Sequence, residues 1–109
     1  MPKYVAFFSY TSEGWRQMIE NPGDRATAAR KVVEGLGGTM ECLYWMTGEH
    51  DGLVIFDAPD VVSAGAVSAG VTSSGLITSK LHQLLDMDEA AALLDKARGV
   101  VAGYQRPGG

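Results

Sequence analysis

One short stretch near the start of the chain sets the tightest limit on what it can fold into. Residues 4–10 are apolar or aromatic on both alternating sets, with Tyr4, Ala6, Phe8 and Tyr10 on one and Val5 and Phe7 on the other. Successive side chains of a strand point to opposite faces, so this pattern predicts a strand buried on both sides. Such a strand needs a layer above it and a layer below it. A chain of 109 residues is long enough to bury a core without disulfides or metals, but it has few elements with which to build two covering layers.

The following segments supply one of them. Thr11 or Ser12 is placed to cap a short helical turn holding Trp15, Met18 and Ile19. Asn21-Pro22 reads as a helix start, with proline where a missing N–H costs nothing. Ala26, Ala29, Val33 and Leu36 then recur at helical spacing until Gly37-Gly38 stops the helix with a left-handed cap. Residues 39–47 predict a second strand, with Met40, Cys42, Tyr44 and Met46 on one face and Leu43 and Trp45 on the other. The turn 48–52 leads into a third strand at 53–56, forming a hairpin.

Ala58-Pro59-Asp60 opens a second helix containing Val62, Ala66, Val67 and Ala69, whose alanines and glycines allow close approach to a sheet. Residues 76–84 predict a fourth strand. Asp86 or Asp88 caps a last helix, with Asp86 and Glu89 at capping-box spacing and Leu93, Leu94 and Ala97 expected on its inner face. The order β-α-β-β-α-β plus a terminal helix is the split βαβ arrangement of α+β, ferredoxin-like domains: a four-stranded antiparallel sheet with helices on one face. We expect one domain over residues 1–98 and a glycine-rich tail over 99–109.

Helices on one face leave the other face of a doubly apolar strand uncovered. A second copy of the same sheet is the simplest cover, because a two-fold axis matches a patch to itself. The expected partner is therefore the chain itself, as a homodimer or a larger homo-oligomer.

Composition narrows the other partners. Nine Lys and Arg against thirteen Asp and Glu give a net charge of −4, which argues against nucleic acid and against an anionic membrane as partner. No apolar run approaches a membrane span, and the pattern beginning at Met1-Pro2-Lys3-Tyr4 enters a strand with no leader before it, so a cytoplasmic location is expected. The single cysteine, Cys42, sits in an apolar run and reads as a buried, inert thiol. Two histidines and one cysteine far apart make no metal-ligand spacing, and no phosphate-cradling loop is present, so neither a metal nor a cofactor is expected.

Particular residues carry a family resemblance. The opening Tyr4-Val5-x-x-x-x-Tyr10-Thr11-x-x-Gly14 and the helix ending in Leu36-Gly37-Gly38 are similar to the small GYD-domain proteins. The most specific stretch is Gly48-Glu49-His50-Asp51 followed by Val54-Ile55-Phe56-Asp57-Ala58-Pro59-Asp60, which resembles the family's hairpin and helix entry. The resemblance spans residues 2–94. The family usually carries tyrosine where this chain has His50, so a role for a tyrosine hydroxyl at that position does not carry over. The resemblance implies the dimeric α+β-barrel superfamily, in which two sheets pack face to face; that superfamily includes cofactor-free monooxygenases and isomerases. No reaction is assigned to the GYD group, and fold analogy is a weak warrant for one.

Candidate site residues follow from residue chemistry. His50 and Asp51 are adjacent in the hairpin turn: His50 is a candidate general base tuned by the carboxylate. The plainer reading has Asp51 capping backbone N–H groups with His50 exposed, since turns recruit aspartate for conformational reasons alone. His82, with Lys80 and Thr78 on the same face of the fourth strand, either lines a barrel interior or belongs to a solvated edge.

Tyr10, Thr11, Trp15 and Trp45 are the candidate ligand contacts, with Tyr44 as a further aromatic. Residues late on the first strand and in the following loop sit at one end of the sheet, where Trp15 can fold over as a lid. Plain core or dimer contact is the more ordinary role of such aromatics. Two functional classes result: a dimeric or oligomeric binding or scaffold protein, and a cofactor-free enzyme or binder of a small apolar organic ligand with His50, Asp51 or His82 moving protons. A cavity of roughly 300 Å3 or more with a few convergent polar groups favours the second, and a filled interior the first.

Overall fold

The protein is described by a computed structural model over residues 1–108. Strands β1 (Lys3–Tyr10), β2 (Thr39–Trp45), β3 (Gly52–Asp57) and β4 (Ile77–Leu84) form one sheet in the order β2-β3-β1-β4. All three pairings are antiparallel. Helices α1 (Ser12–Glu20) and α2 (Arg25–Gly35) connect β1 to β2, α3 (Val61–Thr72) connects β3 to β4, and α4 (Met87–Gly103) follows β4. This is the expected α+β, ferredoxin-like arrangement, with β1 in the interior of the sheet.

The register decides which face of β1 meets the helices. Tyr4, Ala6 and Phe56 join Val33 of α2 and Ala64 of α3 in the core cluster. Tyr4 and Phe56 are fully buried, with their rings stacked at a centroid distance of 5.8 Å. Burying each contributes about 1.5–3 kcal/mol. The even-numbered residues of β1 therefore face the helices, and Val5 and Phe7 face the open side with their cross-strand partners Ile55 and Leu53.

Local chemistry sets the helix ends. Thr11, Asp24, Asp60 and Asp86 are N-caps, each accepting a backbone N–H from its first turn, and Asp86 and Glu89 form the expected capping box. The start expected at Asn21-Pro22 lies in the connection instead; α2 begins at Arg25, because Asp24 supplies a stronger cap, accepting from Thr27 at 3.1 Å. Gly37, at φ 82°, closes α2 in the left-handed region. Gly14 has a packing reason: a Cβ there would overlap the Leu76 carbonyl oxygen, the same oxygen that accepts the Thr11 N–H.

Three further expectations, all on the second strand, are corrected. Strand β2 ends at Trp45, two residues early. A register shift between Met40 and Cys42 puts Met40 opposite Phe56 on the helix side and Cys42 opposite Ile55 on the open side, so they do not share a face as strict alternation requires. Cys42 is half-buried there. In α3 the inward residues include Ala64, Val67 and Val71, whereas Val62, Ala66 and Ala69 are exposed; apolar residues run all round this helix, so its pattern carries no phase.

The largest difference is α4. Leu93 and Leu94, expected inward, are 52% and 66% exposed, and the helix buries none of its residues. It runs on to Gly103, taking in the first five residues of the expected tail. The radius of gyration is 17.8 Å, against about 13 Å for a compact chain of this length. Helix α4 stands away from the domain.

Candidate functional site

Helix α2 leans on β2 and α3 on β4. Between them, over the middle of the sheet, lies a cavity of about 140 Å3. Its walls are Phe8 and Leu81 from the sheet, Ala29 and Val33 from α2, and Val67 and Val71 from α3. Two polar features interrupt the apolar lining. The hydroxyls of Ser68 and Ser79 hydrogen-bond to each other at 2.9 Å where α3 meets β4. Arg25 and the Tyr10 ring stand at the opposite end.

That end is a neck. Tyr10, Arg25, Val71 and Ile77 line both the inner cavity and an adjoining groove of about 600 Å3, whose outer wall comes from α1 with Gln17, Met18 and Glu20. Burial pushes the Tyr10 phenol above its ordinary pKa, and the nearby Asp51 charge acts in the same direction; the Arg25 guanidinium beside the hydroxyl pulls it back in part. Tyr10 is thus a neutral hydroxyl at pH 7, able to donate a hydrogen bond.

An aromatic cluster holds Tyr10 in place. Trp45 stacks on its ring at 5.5 Å, and Trp15 and Phe8 meet it edge-on at 5.4 and 5.6 Å. Trp15 and Trp45 also touch, at 5.7 Å. Asp51 fixes the backbone beneath. Strand β3 ends its pairing with β1 at Gly52 opposite Phe8, leaving the Tyr10 N–H without a strand partner on that side. The Asp51 carboxylate accepts it at 2.8 Å, while the Asp51 N–H donates to the Phe8 carbonyl at 2.9 Å. The side chain takes the place of one more rung of the ladder.

The match of this chain to a family model covers most of this architecture. The family model of the GYD domain matches residues 4–94, from the buried Tyr4 to the middle of α4. The chain belongs to the GYD domain family. No curated protein matches it. The matched span of this GYD domain includes the sheet, α1 to α3, and every residue of the cavity and its neck.

The GYD domain distributes the expected site residues over two faces. Tyr10 lines the cavity. Trp45 lines a shallower groove beside Pro22 and Ala26, and Trp15 packs behind Tyr10. Thr11 caps α1, its hydroxyl accepting from Gly14 and donating to the Gly75 carbonyl at 3.0 Å. His50 and His82 lie on the other face, where both rings contact Phe7, at 5.2 and 5.8 Å. Thr78, Lys80 and His82 are exposed along that face of the edge strand β4. Neither histidine reaches the cavity.

Sequence reasoning missed Arg25, Ser68 and Ser79. Arg25 had a signal. It is the first residue of α2, a turn that contains no acidic residue, although the positive end of a helix dipole disfavours a cation. The expectation of a start at Asn21-Pro22 hid that position inside the helix. The serines had no signal, because their pairing depends on how α3 lies on β4. Among the described residues no three His, Cys, Asp or Glu side chains gather to hold a metal, and no helix is long and apolar enough to cross a membrane.

Proposed function

We propose that the protein binds a small, largely apolar organic molecule in the cavity between α2, α3 and the sheet. The observation that carries this reading is the cavity itself: about 140 Å3 with apolar walls and a few polar groups at its ends. It is smaller than the roughly 300 Å3 at which drug-sized pockets begin. It is comparable to the roughly 150 Å3 apolar cavity that takes up benzene. Binding fits better than turnover, because the titratable groups that line it are Tyr10 and Arg25, neither of which is a base at neutral pH. The test is a thermal melt with toluene. A ligand that binds only the folded state raises the melting temperature. Ala29→Phe, which fills the cavity, abolishes the response. No shift at saturating toluene refutes the reading.

A second observation favours self-association alongside binding. The open face carries Val5, Phe7, Leu53, Ile55, Cys42 and Tyr44 side by side. Polar groups rim it: Lys3 bridging Glu41 and Asp57 at 2.9 and 3.4 Å at one corner, and Lys80 along β4. An apolar centre with a polar rim is the anatomy of an interface. Helix α4 adds Leu93, Leu94, Ala97, Val100 and Val101, an apolar stripe at helical spacing with no partner in its own domain. We read both as surfaces for a second copy, in the face-to-face arrangement of a dimeric α+β barrel. Light scattering at micromolar concentration tests this: a monomer mass refutes it, and Phe7→Glu converts the dimer to monomer. The free thiol of Cys42 suits a reducing compartment, and the reading places the protein in the cytoplasm.

A further inference from the structure

We propose that the cavity selects a single-ring organic monoanion, its ring held in the apolar interior and its carboxylate at the neck on Arg25 and Tyr10. This deepens the ligand-binding reading above and rests on it. Arg25 is the only charged residue among those lining the cavity. Its guanidinium forms no ion pair among the described residues; the ion pairs there belong to Lys3, Arg16 and Arg98. The neighbouring Asp24 carboxylate is engaged by Thr27, accepting its hydroxyl at 2.7 Å and its N–H. Glu20 lies on the outer groove.

Position sharpens the point. Arg25 opens α2, where the helix dipole opposes a positive side chain. A cation kept there and left without a carboxylate raises the local potential at the neck of an otherwise apolar cavity. The Tyr10 hydroxyl beside it is neutral and can donate. A guanidinium and a hydroxyl donor together match the two oxygens of a carboxylate. The net charge of −4 offers no long-range attraction to an anion, so selection comes from these two groups at close range.

Size sets the rest of the ligand. A cavity of about 140 Å3 accepts one ring, with the anionic group emerging at the Tyr10–Arg25 neck. A molecule with the head but no ring leaves the apolar interior unfilled, and a molecule with the ring but no charge leaves Arg25 unpaired.

Three probes separate these contributions: phenylacetate, benzyl alcohol and acetate, titrated into the full chain. The readouts are calorimetry and the fluorescence of Trp15 and Trp45, which both contact Tyr10. Phenylacetate is expected to bind on the order of tenfold or more tightly than benzyl alcohol, the value of one charge-assisted contact. It should exceed acetate by at least as much. Arg25→Gln, at an exposed position, should bring phenylacetate to the level of benzyl alcohol; Arg25→Lys should keep part of the preference. Equal binding of phenylacetate and benzyl alcohol, or an Arg25→Gln variant that keeps the preference, overturns the anion assignment and leaves the cavity reading standing. Acetate binding as tightly as phenylacetate overturns the placement of the ring. Silence toward all three probes overturns both this inference and the reading on which it rests.

Discussion

Asp51→Ala isolates a single interaction that links the hairpin turn to the cavity neck. The substitution removes the acceptor of the Tyr10 N–H, a part-buried bond of 2.8 Å. Hydrogen bonds to charged groups contribute about 1.5–3 kcal/mol, and an unsatisfied buried donor costs about 1–3 kcal/mol. Tyr10 is only half-buried, so water replaces part of the lost partner and the low end applies: about 1.5 kcal/mol. The backbone bond from the Asp51 N–H to Phe8 survives, which keeps the turn from opening. For a domain near 100 residues this loss lowers the melting temperature by roughly 6–8 °C. Asp51→Asn keeps an uncharged acceptor and should lose about half as much. Urea titrations followed by far-UV circular dichroism give the stability. The near-UV signal of the Tyr10–Trp45–Trp15 cluster reports the local loosening. Melts of Asp51→Ala that overlay the wild type would refute the claim that this carboxylate completes the β1–β3 ladder.

Other perturbations test separate parts of the fold. Gly14→Ala drives a Cβ into the Leu76 carbonyl and should cost about 1–3 kcal/mol; a melt matching wild type would show that α1 shifts freely over the sheet end. The caps Asp24 and Asp60 have carboxyls held below the ordinary range, Asp24 by the Thr27 hydroxyl and then its N–H, Asp60 by the Ser63 N–H and then its hydroxyl. Their contribution is therefore present above the unfolded pKa near 4 and is lost as pH falls through the lower folded value. The Asp24→Asn, Asp60→Asn double variant should show a flatter fall in urea midpoint below about pH 4, and an unchanged acid limb would show that these caps do not titrate with folding. Leu94→Asp on α4 replaces a side chain that is 66% exposed and should change monomer stability by less than about 0.5 kcal/mol. Sedimentation velocity should show weakened self-association, whereas loss of the folded monomer would show that α4 docks on its own domain.

The residues alone determine the order of elements and most of their ends. Caps and breakers act over three or four residues, so Asp60, the Asp86–Glu89 box and Gly37 are readable wherever they stand. The doubly apolar set at residues 4–10 likewise forces β1 into the interior of a covered sheet. What alternation cannot state is which side of β1 receives the helices. Both sets are apolar, and the choice falls to the pairing that brings Tyr4 against Phe56, Val33 and Ala64. The same limit governs the site. Tyr10 was readable as a late-strand aromatic near Trp15 and Trp45. The other polar groups of the cavity, Arg25, Ser68 and Ser79, are 15 or more residues away along the chain, and only the lean of α2 toward β2 and of α3 toward β4 opens a cavity between them. The histidines show the converse. Their chemistry is legible in the sequence, but strand register turns His82 to the open face and the hairpin carries His50 beside it, both against Phe7. Residue type announces what a group can do; packing across the sheet decides what it faces.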